Sequence, residues 1–386
     1  MTRTPLGSVL PDFPWNSLAE AKAKAASHPE GIVDLSVGTP VDEVSPSVQL
    51  ALSSAASLSG YPQTMGTPEL REAISSALER RYEIVGLGDK SVLPVVGTKE
   101  AIAWLPTLLG LRGETVVIPS VAYPTYEVGA KIAGAEIIRA DDPADFQDAA
   151  LVFINSPSNP TGKVLSVDEL RAIVAWAREN NAIVASDECY MALAWEDDHP
   201  PVSILDPRVT DGDMTGLIAM HSLSKSANMA SYRAGFFAGD AELIAELLEV
   251  RKHAGLMVPG PVQSAMVAAL NDDATEALQV HRYALRRAKL MRALSDVGFV
   301  IQHSEAGMYL WATSGNNCRD DVAWLADLGI LVAPGDFYGE VGERFIRVGL
   351  NGTDERIDSA CARLTADGQR NYNSSQLFST VWKAIQ

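Results

Sequence analysis

The strongest constraint on this chain is an alternation that begins at Val92, where short, nearly continuous apolar runs recur between stretches of helical spacing. The runs 92–96, 115–118, 136–138, 151–154, 182–185 and 217–220 read as buried strands. Strands that are apolar on both faces need cover on both faces, which a parallel sheet between two layers of helices supplies. The central block is therefore predicted to be α/β, a mostly parallel sheet sandwiched by helices. After Asp240 the pattern changes to long helices, including 271–295, and then to apparent strands at 299–302, 308–312, 330–332 and 345–348. That change predicts a smaller α+β C-terminal domain. We divide the chain into an N-terminal arm, 1–40, packing on the small domain; a large domain, 41–270; a small domain, 271–368; and a tail, 369–386, without an assigned role. The boundary is expected inside a long helix near residue 270.

With 386 residues, 47% apolar and 21% charged, the chain has core enough for roughly two or three domains and none of the polar signature of disorder. Its 31 Lys and Arg stand against 49 Asp and Glu, a net charge of −18 that repels phosphate backbones and anionic membranes. Neither nucleic acid nor a membrane is an expected partner. Cys189, Cys318 and Cys361 form no CxxC pair and no zinc cluster with the six histidines, so no metal and a reducing cytoplasm are expected. Residues 1–14 carry one basic residue, Arg3, and no apolar export segment behind it. The uncharged stretch 254–271 is interrupted by Pro259, Gly260 and Pro261 and reads as a buried loop and helix.

Chemistry gathers where the strands end. Ser222-Leu223-Ser224-Lys225 directly follows the run 217–220, with Arg233 and Gly235 beyond it. In doubly wound sheets ligands bind outside the carboxyl ends of the strands, so a lysine, two hydroxyls and an arginine there can hold an anion and offer an amine. Taken alone, the segment is equally a solvated basic loop. Asn155-Ser156-Pro157-Ser158-Asn159-Pro160-Thr161-Gly162 follows the run 151–154 as a rigid turn; Asn159 can present an amide, or the turn simply enters a helix. Ser186-Asp187-Glu188-Cys189-Tyr190 ends the run 182–185, and an acid there is costly unless paired or used as a cap. Gly97-Thr98-Lys99-Glu100 opens a helix after the run 92–96. Such a turn either reverses the chain or points free N–H groups at a phosphate, each worth about 0.3–1 kcal/mol at an exposed site. Together a lysine amine, an acid, an amide and a phosphate cup complement a pyridine aldehyde bearing a phosphate, pyridoxal 5′-phosphate.

From about Leu35 to Arg363 the chain resembles the class I/II, fold-type I pyridoxal-phosphate aminotransferases. The resemblance rests on Ser222-x-Ser224-Lys225-x-x-Asn228-Met229-x-x-x-Arg233-x-Gly235, with Asn159-Pro160-Thr161-Gly162, Asp187-x-x-Tyr190 and Arg347 in family order. One departure is Ser231, where the family more often has Gly or Asn. The resemblance implies that Lys225 bonds the coenzyme covalently and later shuttles a proton, that Asp187 pairs with the pyridine nitrogen, and that Asn159 and Tyr190 bond the phenolic oxygen. It further implies that Ser222, Arg233 and the Thr98 and Lys99 amides hold the phosphate, with Ser224 as a helper. Tyr123 would stack on the ring, while Tyr126 is read as core. Arg347 would fork the substrate α-carboxylate, and Gly38 would add a backbone contact to it. Tyr61, in Gly60-Tyr61-Pro62, resembles the tyrosine that reaches the phosphate of a neighbouring subunit, implying a homodimer with shared sites.

Asp12-Phe13-Pro14-Trp15-x-Ser17-Leu18, Asp34-Leu35-Ser36-Val37-Gly38-Thr39-Pro40-Val41-Asp42 and Met257-Val258-Pro259-Gly260-Pro261-Val262-Gln263 resemble the actinobacterial N-succinyldiaminopimelate aminotransferases of lysine and cell-wall precursor synthesis. The reaction implied passes an amino group from glutamate to N-succinyl-2-amino-6-oxopimelate. Another amino-acid aminotransferase, or a Cβ–S lyase on the same scaffold, would share every residue above. Ser222-x-x-Lys225 also matches a serine acylase motif, but its companion Ser-Asp-Asn and Lys-Thr-Gly motifs are absent. Thr161-Gly162-Lys163 lacks the first glycine and the Ser/Thr of a P-loop. A ligand sensor would normally add a basic DNA-binding domain, and the stretch before residue 40 is too short and too poor in basic residues for one.

Overall fold

In the computed structural model, which describes residues 5–195 and 200–367, the arm contributes a two-residue strand, β1 (Val33–Asp34). The large sheet holds β2 (Val92–Val96), β3 (Thr115–Ile118), β4 (Glu136–Arg139), β5 (Leu151–Asn155), β6 (Ile183–Asp187), β7 (Leu217–Ser222) and β8 (Ala234–Gly239). Their spatial order is β2-β8-β7-β6-β5-β3-β4. Neighbours from β7 to β4 pair in parallel, while β8 runs antiparallel to both β2 and β7. Six of these strands follow the apolar runs. The seventh, β8, has the sequence Ala-Gly-Phe-Phe-Ala-Gly, whose small residues hide it from a hydrophobicity reading.

Successive side chains on a strand point to opposite faces. Val116, Ile118, Leu151 and Phe153 accordingly enter a core with the helices Thr98–Leu108 and Ala241–Ala254, whereas Val117, Val152 and Ile154 enter one with the helices Pro68–Tyr82 and Val167–Asn180. The α/β expectation holds for this reason: both faces of the sheet are dry.

The C-terminal sheet is antiparallel, with β9 (Val300–Gln302), β10 (Tyr309–Thr313), β12 (Ala333–Pro334) and β13 (Ile346–Gly349) in the order β12-β13-β10-β9. The predicted strand at 330–332 instead splits. Its first part, β11 (Ile330–Leu331), pairs in parallel with β1 of the arm. Leu18, Val33 and Leu35 pack into the same core as Tyr283, Leu290, Leu310 and Ile346.

The continuous helix expected near residue 270 is broken. One helix, Gly260–Leu270, buries Ala265 and Met266 in the large core, and the next, Asp273–Asp296, buries Tyr283 and Leu290 in the C-terminal one. Asn271 and Asp272 intervene, and the Asp272 carboxylate accepts the Thr275 N–H at 3.1 Å, a side-chain cap that starts a new helix. The tail 369–386 lies outside the described residues.

Candidate active site

Because β5, β6 and β7 are parallel, their last residues, Asn155, Asp187 and Ser222, arrive at one sheet edge. Asn155 orders that edge. Its amide donates to the Asp187 carbonyl at 2.8 Å, and its Oδ1 accepts the Asn159 N–H at 2.7 Å, fixing the turn that presents Asn159. A second device joins β2 to the helix Thr98–Leu108, whose N-terminus has no capping side chain and so keeps free N–H groups. Gly97, at φ +75°, makes this junction, and a Cβ there would lie 2.4 Å from Nη2 of Arg233. Glycine thus admits the guanidinium to the helix N-terminus.

A cavity of about 440 Å³ opens at this edge, and every coenzyme- or substrate-binding residue that the resemblance implies lines it except Tyr61. Gly38, Thr98, Lys99, Tyr123, Asn159, Asp187, Tyr190, Ser222, Ser224, Lys225, Arg233 and Arg347 are brought together from seven separate stretches of chain. Tyr61 stands apart, 99% exposed.

Asp187 is 5% exposed, and burial raises its carboxyl above the ordinary value. The Tyr126 phenol donates to its Oδ2 at 2.7 Å and the Cys189 N–H to its Oδ1 at 3.2 Å. Tyr126, expected as plain core, is buried but also serves this acid. Lys225 follows on the short helix Leu223–Ser226, and its Nζ donates to the Gly38 carbonyl. Ser222 Oγ caps that helix by accepting the Ser224 N–H at 3.1 Å. Lys99 and Arg233 have no carboxylate partner among the described residues, and burial followed by the Arg233 charge lowers the Lys99 ammonium. Two unpaired cations at an uncapped helix N-terminus make an anion site.

Arg347, on β13, is 2% exposed and has no carboxylate partner among the described residues. It donates to Asn159 Oδ1 at 2.9 Å and to the Ser36 carbonyl at 2.6 Å, with its Nε unpartnered. The Tyr309 ring lies 3.9 Å and the Tyr338 ring 5.2 Å from Cζ. A buried guanidinium without an anion is costly, and a planar carboxylate is the ligand its fork matches. Tyr309 escaped the sequence reading. Its hydroxyl lies 3.4 Å from that of Tyr190; burial alone would raise its phenol, yet the charges of Arg347 and Lys225 hold it below the ordinary value. Gly38 faces it, since a Cβ there would sit 1.8 Å from the Tyr309 hydroxyl. Trp15 and Phe13 of the arm form a further aromatic wall, Trp15 packing on Phe337 at 5.3 Å and on Phe13 at 5.4 Å.

The donor set fits pyridoxal phosphate: a lysine amine, a buried acid with no cation of its own, and an anion cradle that a Cβ at Gly97 would fill. Fold and site together define a pyridoxal-phosphate-dependent aminotransferase. The chain matches the family "Aminotransferase class I and II" over residues 30–364 and belongs to it. It is 60% identical over 359 residues to a probable aminotransferase of Mycobacterium tuberculosis, covering 92% of this chain and 85% of that one. It is 53% identical to the 4-dedimethylamino-4-oxo-anhydrotetracycline transaminase of Streptomyces rimosus, covering 92% and 99%. Among solved structures, the N-succinyldiaminopimelate aminotransferase of Mycobacterium tuberculosis superposes with a TM-score of 0.82 at 27% identity, covering 95% of this chain and 99% of that one.

Proposed function

We propose that this aminotransferase moves an amino group between glutamate and N-succinyl-2-amino-6-oxopimelate. The observation that carries the amino-acid part is the meeting of Lys225, Asp187 and Arg347 in one cavity. When bound, pyridoxal phosphate supplies an aldehyde that takes up amines and a ring that accepts electrons from the substrate Cα. Lys225 exchanges the proton at that carbon. Asp187 carries the counter-charge for the ring nitrogen, and the Tyr126 and Cys189 donors orient its carboxylate. Asn159 and Tyr190 donate to the ring's phenolic oxygen, and Tyr123 covers the ring. Ser222, Ser224, Arg233 and the N–H groups of Thr98 and Lys99 hold the phosphate, joined by Tyr61 from a second copy of the chain in a homodimer. Arg347 takes the α-carboxylate, with Gly38 beside it. The divisions 1–40, 41–270 and 271–368 serve as arm, coenzyme domain and small domain, working in the cytoplasm.

For the distal end, the structural neighbour's substrate supports a long acyl chain bearing a carboxylate. Lys22 of the arm is suited to it: it lines the cavity and, among the described residues, has Asp34, at 3.9 Å, as a loose partner. A second reading is favoured by the Phe13 and Trp15 wall and by the Streptomyces relative, whose substrate is a ring ketone. Half-reactions followed by coenzyme absorbance separate the two. Glutamate should convert the bound coenzyme to its amine form, and N-succinyl-2-amino-6-oxopimelate should restore it faster than polycyclic ketones do. Restoration only by a ring ketone would transfer the assignment, and β-elimination without amine accumulation would mark a lyase. Light scattering tests the dimer, and mixed Tyr61→Ala and Lys225→Ala chains should regain part of the lost activity if sites are shared.

A further inference from the structure

Beneath the cavity lies a second, small one of about 30 Å³, room for a water molecule. Cys189 and Ser222 line both, so the wall between them is one residue thick. Its polar floor is a pair that nothing above uses. Glu188, 1% exposed, and His221, 5% exposed, approach with Oε2 and Nε2 3.3 Å apart, and neither atom makes a hydrogen bond among the described residues. Each is the chain neighbour of a residue in the coenzyme cavity, Glu188 of Asp187 and His221 of Ser222. The Glu188 N–H also bonds the Met220 carbonyl at 2.9 Å, next to where Asp187 and Met220 stand in register.

Two features fix this pair. Glu188 Oε1 accepts the Ile204 N–H at 2.8 Å, and Arg81, itself paired to Glu276 at 2.9 Å, lines the same cavity. The His221 ring is held between Tyr82, at 6.0 Å and 15°, and Phe236, at 5.2 Å and 20°, so it cannot turn away from the carboxylate. A buried acid–base pair is often less stabilising than apolar residues of the same volume, so stability alone does not account for one here.

We propose that His221 is a positioning residue that acts through Glu188. By neutralising that carboxylate it leaves Asp187 as the one uncompensated acid that the bound coenzyme senses, and it locks the ends of β6 and β7 that carry Asp187 and Ser222. The groups facing the pair are Tyr82 and Arg81 from one helix, Glu276 from another, and Cys189 from the loop after β6. Tyr82 is held neutral, its phenol pushed far up by burial with Glu276 contributing, so it supplies no charge of its own.

This inference rests on the coenzyme reading of the cavity and is tested on the holoenzyme. The pH midpoint of the bound coenzyme's visible absorbance is measured in wild type, His221→Gln, and His221→Gln with Glu188→Gln, alongside thermal melting and equilibrium dialysis of pyridoxal phosphate against each apoprotein. An uncompensated carboxylate favours the protonated coenzyme, so the midpoint should rise by about half a pH unit or more in His221→Gln. It should return to within about 0.2 unit of wild type in the double variant. Melting temperatures that fall while the midpoints stay put would overturn the proposal and leave the pair a packing feature. A wild-type protein that binds no coenzyme would instead overturn both readings.

Discussion

The Tyr126 phenol donates to Oδ2 of Asp187 across 2.7 Å, tying the helix Thr125–Ala133 to the end of β6 over 61 residues of sequence. Both side chains are buried, so the bond is made in a low dielectric, and a hydrogen bond to a charged group there contributes about 1.5–3 kcal/mol. It works against the rise that burial imposes on that carboxyl.

Tyr126→Phe removes that donor and keeps the ring. The Asp187 carboxyl, already high, should rise further, so its protonated form persists to higher pH. The acid limb of the kcat/KM profile should move upward and kcat/KM at neutral pH should fall roughly ten- to a hundred-fold. An unmoved acid limb would separate Tyr126 from the chemistry.

Gly97→Ala places a Cβ 2.4 Å from the Arg233 guanidinium at a backbone φ of +75°. The arginine must leave the helix N-terminus, so the dissociation constant for pyridoxal phosphate, read by dialysis, should rise about tenfold or more. Gly110→Ala is the control: its φ is +70°, but nothing lies within 4 Å, so it should cost backbone strain without loss of coenzyme affinity.

Arg347→Ala removes the buried fork. The glutamate half-reaction should lose about 2–5 kcal/mol in kcat/KM, whereas amines without an α-carboxylate should react as before. Equal losses for both would show a collapsed site rather than a lost contact, and Asn159 and Ser36, left without their donor, are where collapse would begin.

Asp273 fastens the helix Asp273–Asp296 to the helix Pro68–Tyr82. The Arg80 hydrogen bond, reinforced by Arg81, lowers its carboxyl to about 2. A depressed carboxyl stabilises the fold above its unfolded pKa and loses that contribution as pH falls from about 4 towards 2. Because Asp273 is half exposed, screening limits the effect to under about 1 kcal/mol. Asp273→Asn should therefore melt slightly below wild type at pH 7 and level with it near pH 2.

The strand ends were legible because a buried parallel strand must be apolar along its length, so the polar residue that ends it stands out; Asp187 and Ser222 are of this kind. Gly97 was legible as a turn, but its need to clear Arg233 is a contact across more than a hundred residues and leaves no local trace. The same holds for Tyr126 and Tyr309, since an aromatic residue has the same sequence signature whether its hydroxyl is idle or bonded to an acid. Strand β8 was missed because alanine and glycine carry too little hydrophobicity to mark a central strand, and the cap at Asp272 because one short side chain decides it.

The central claim is that Lys225 is the residue joined to pyridoxal phosphate. Borohydride reduction of the holoenzyme, followed by digestion and peptide mass spectrometry, tests it directly. The account predicts a phosphopyridoxyl mass on the peptide carrying Lys225, absent from Lys225→Ala along with the visible absorbance. A label on Lys99 or Lys22, or no reducible adduct after the coenzyme is supplied, would contradict it.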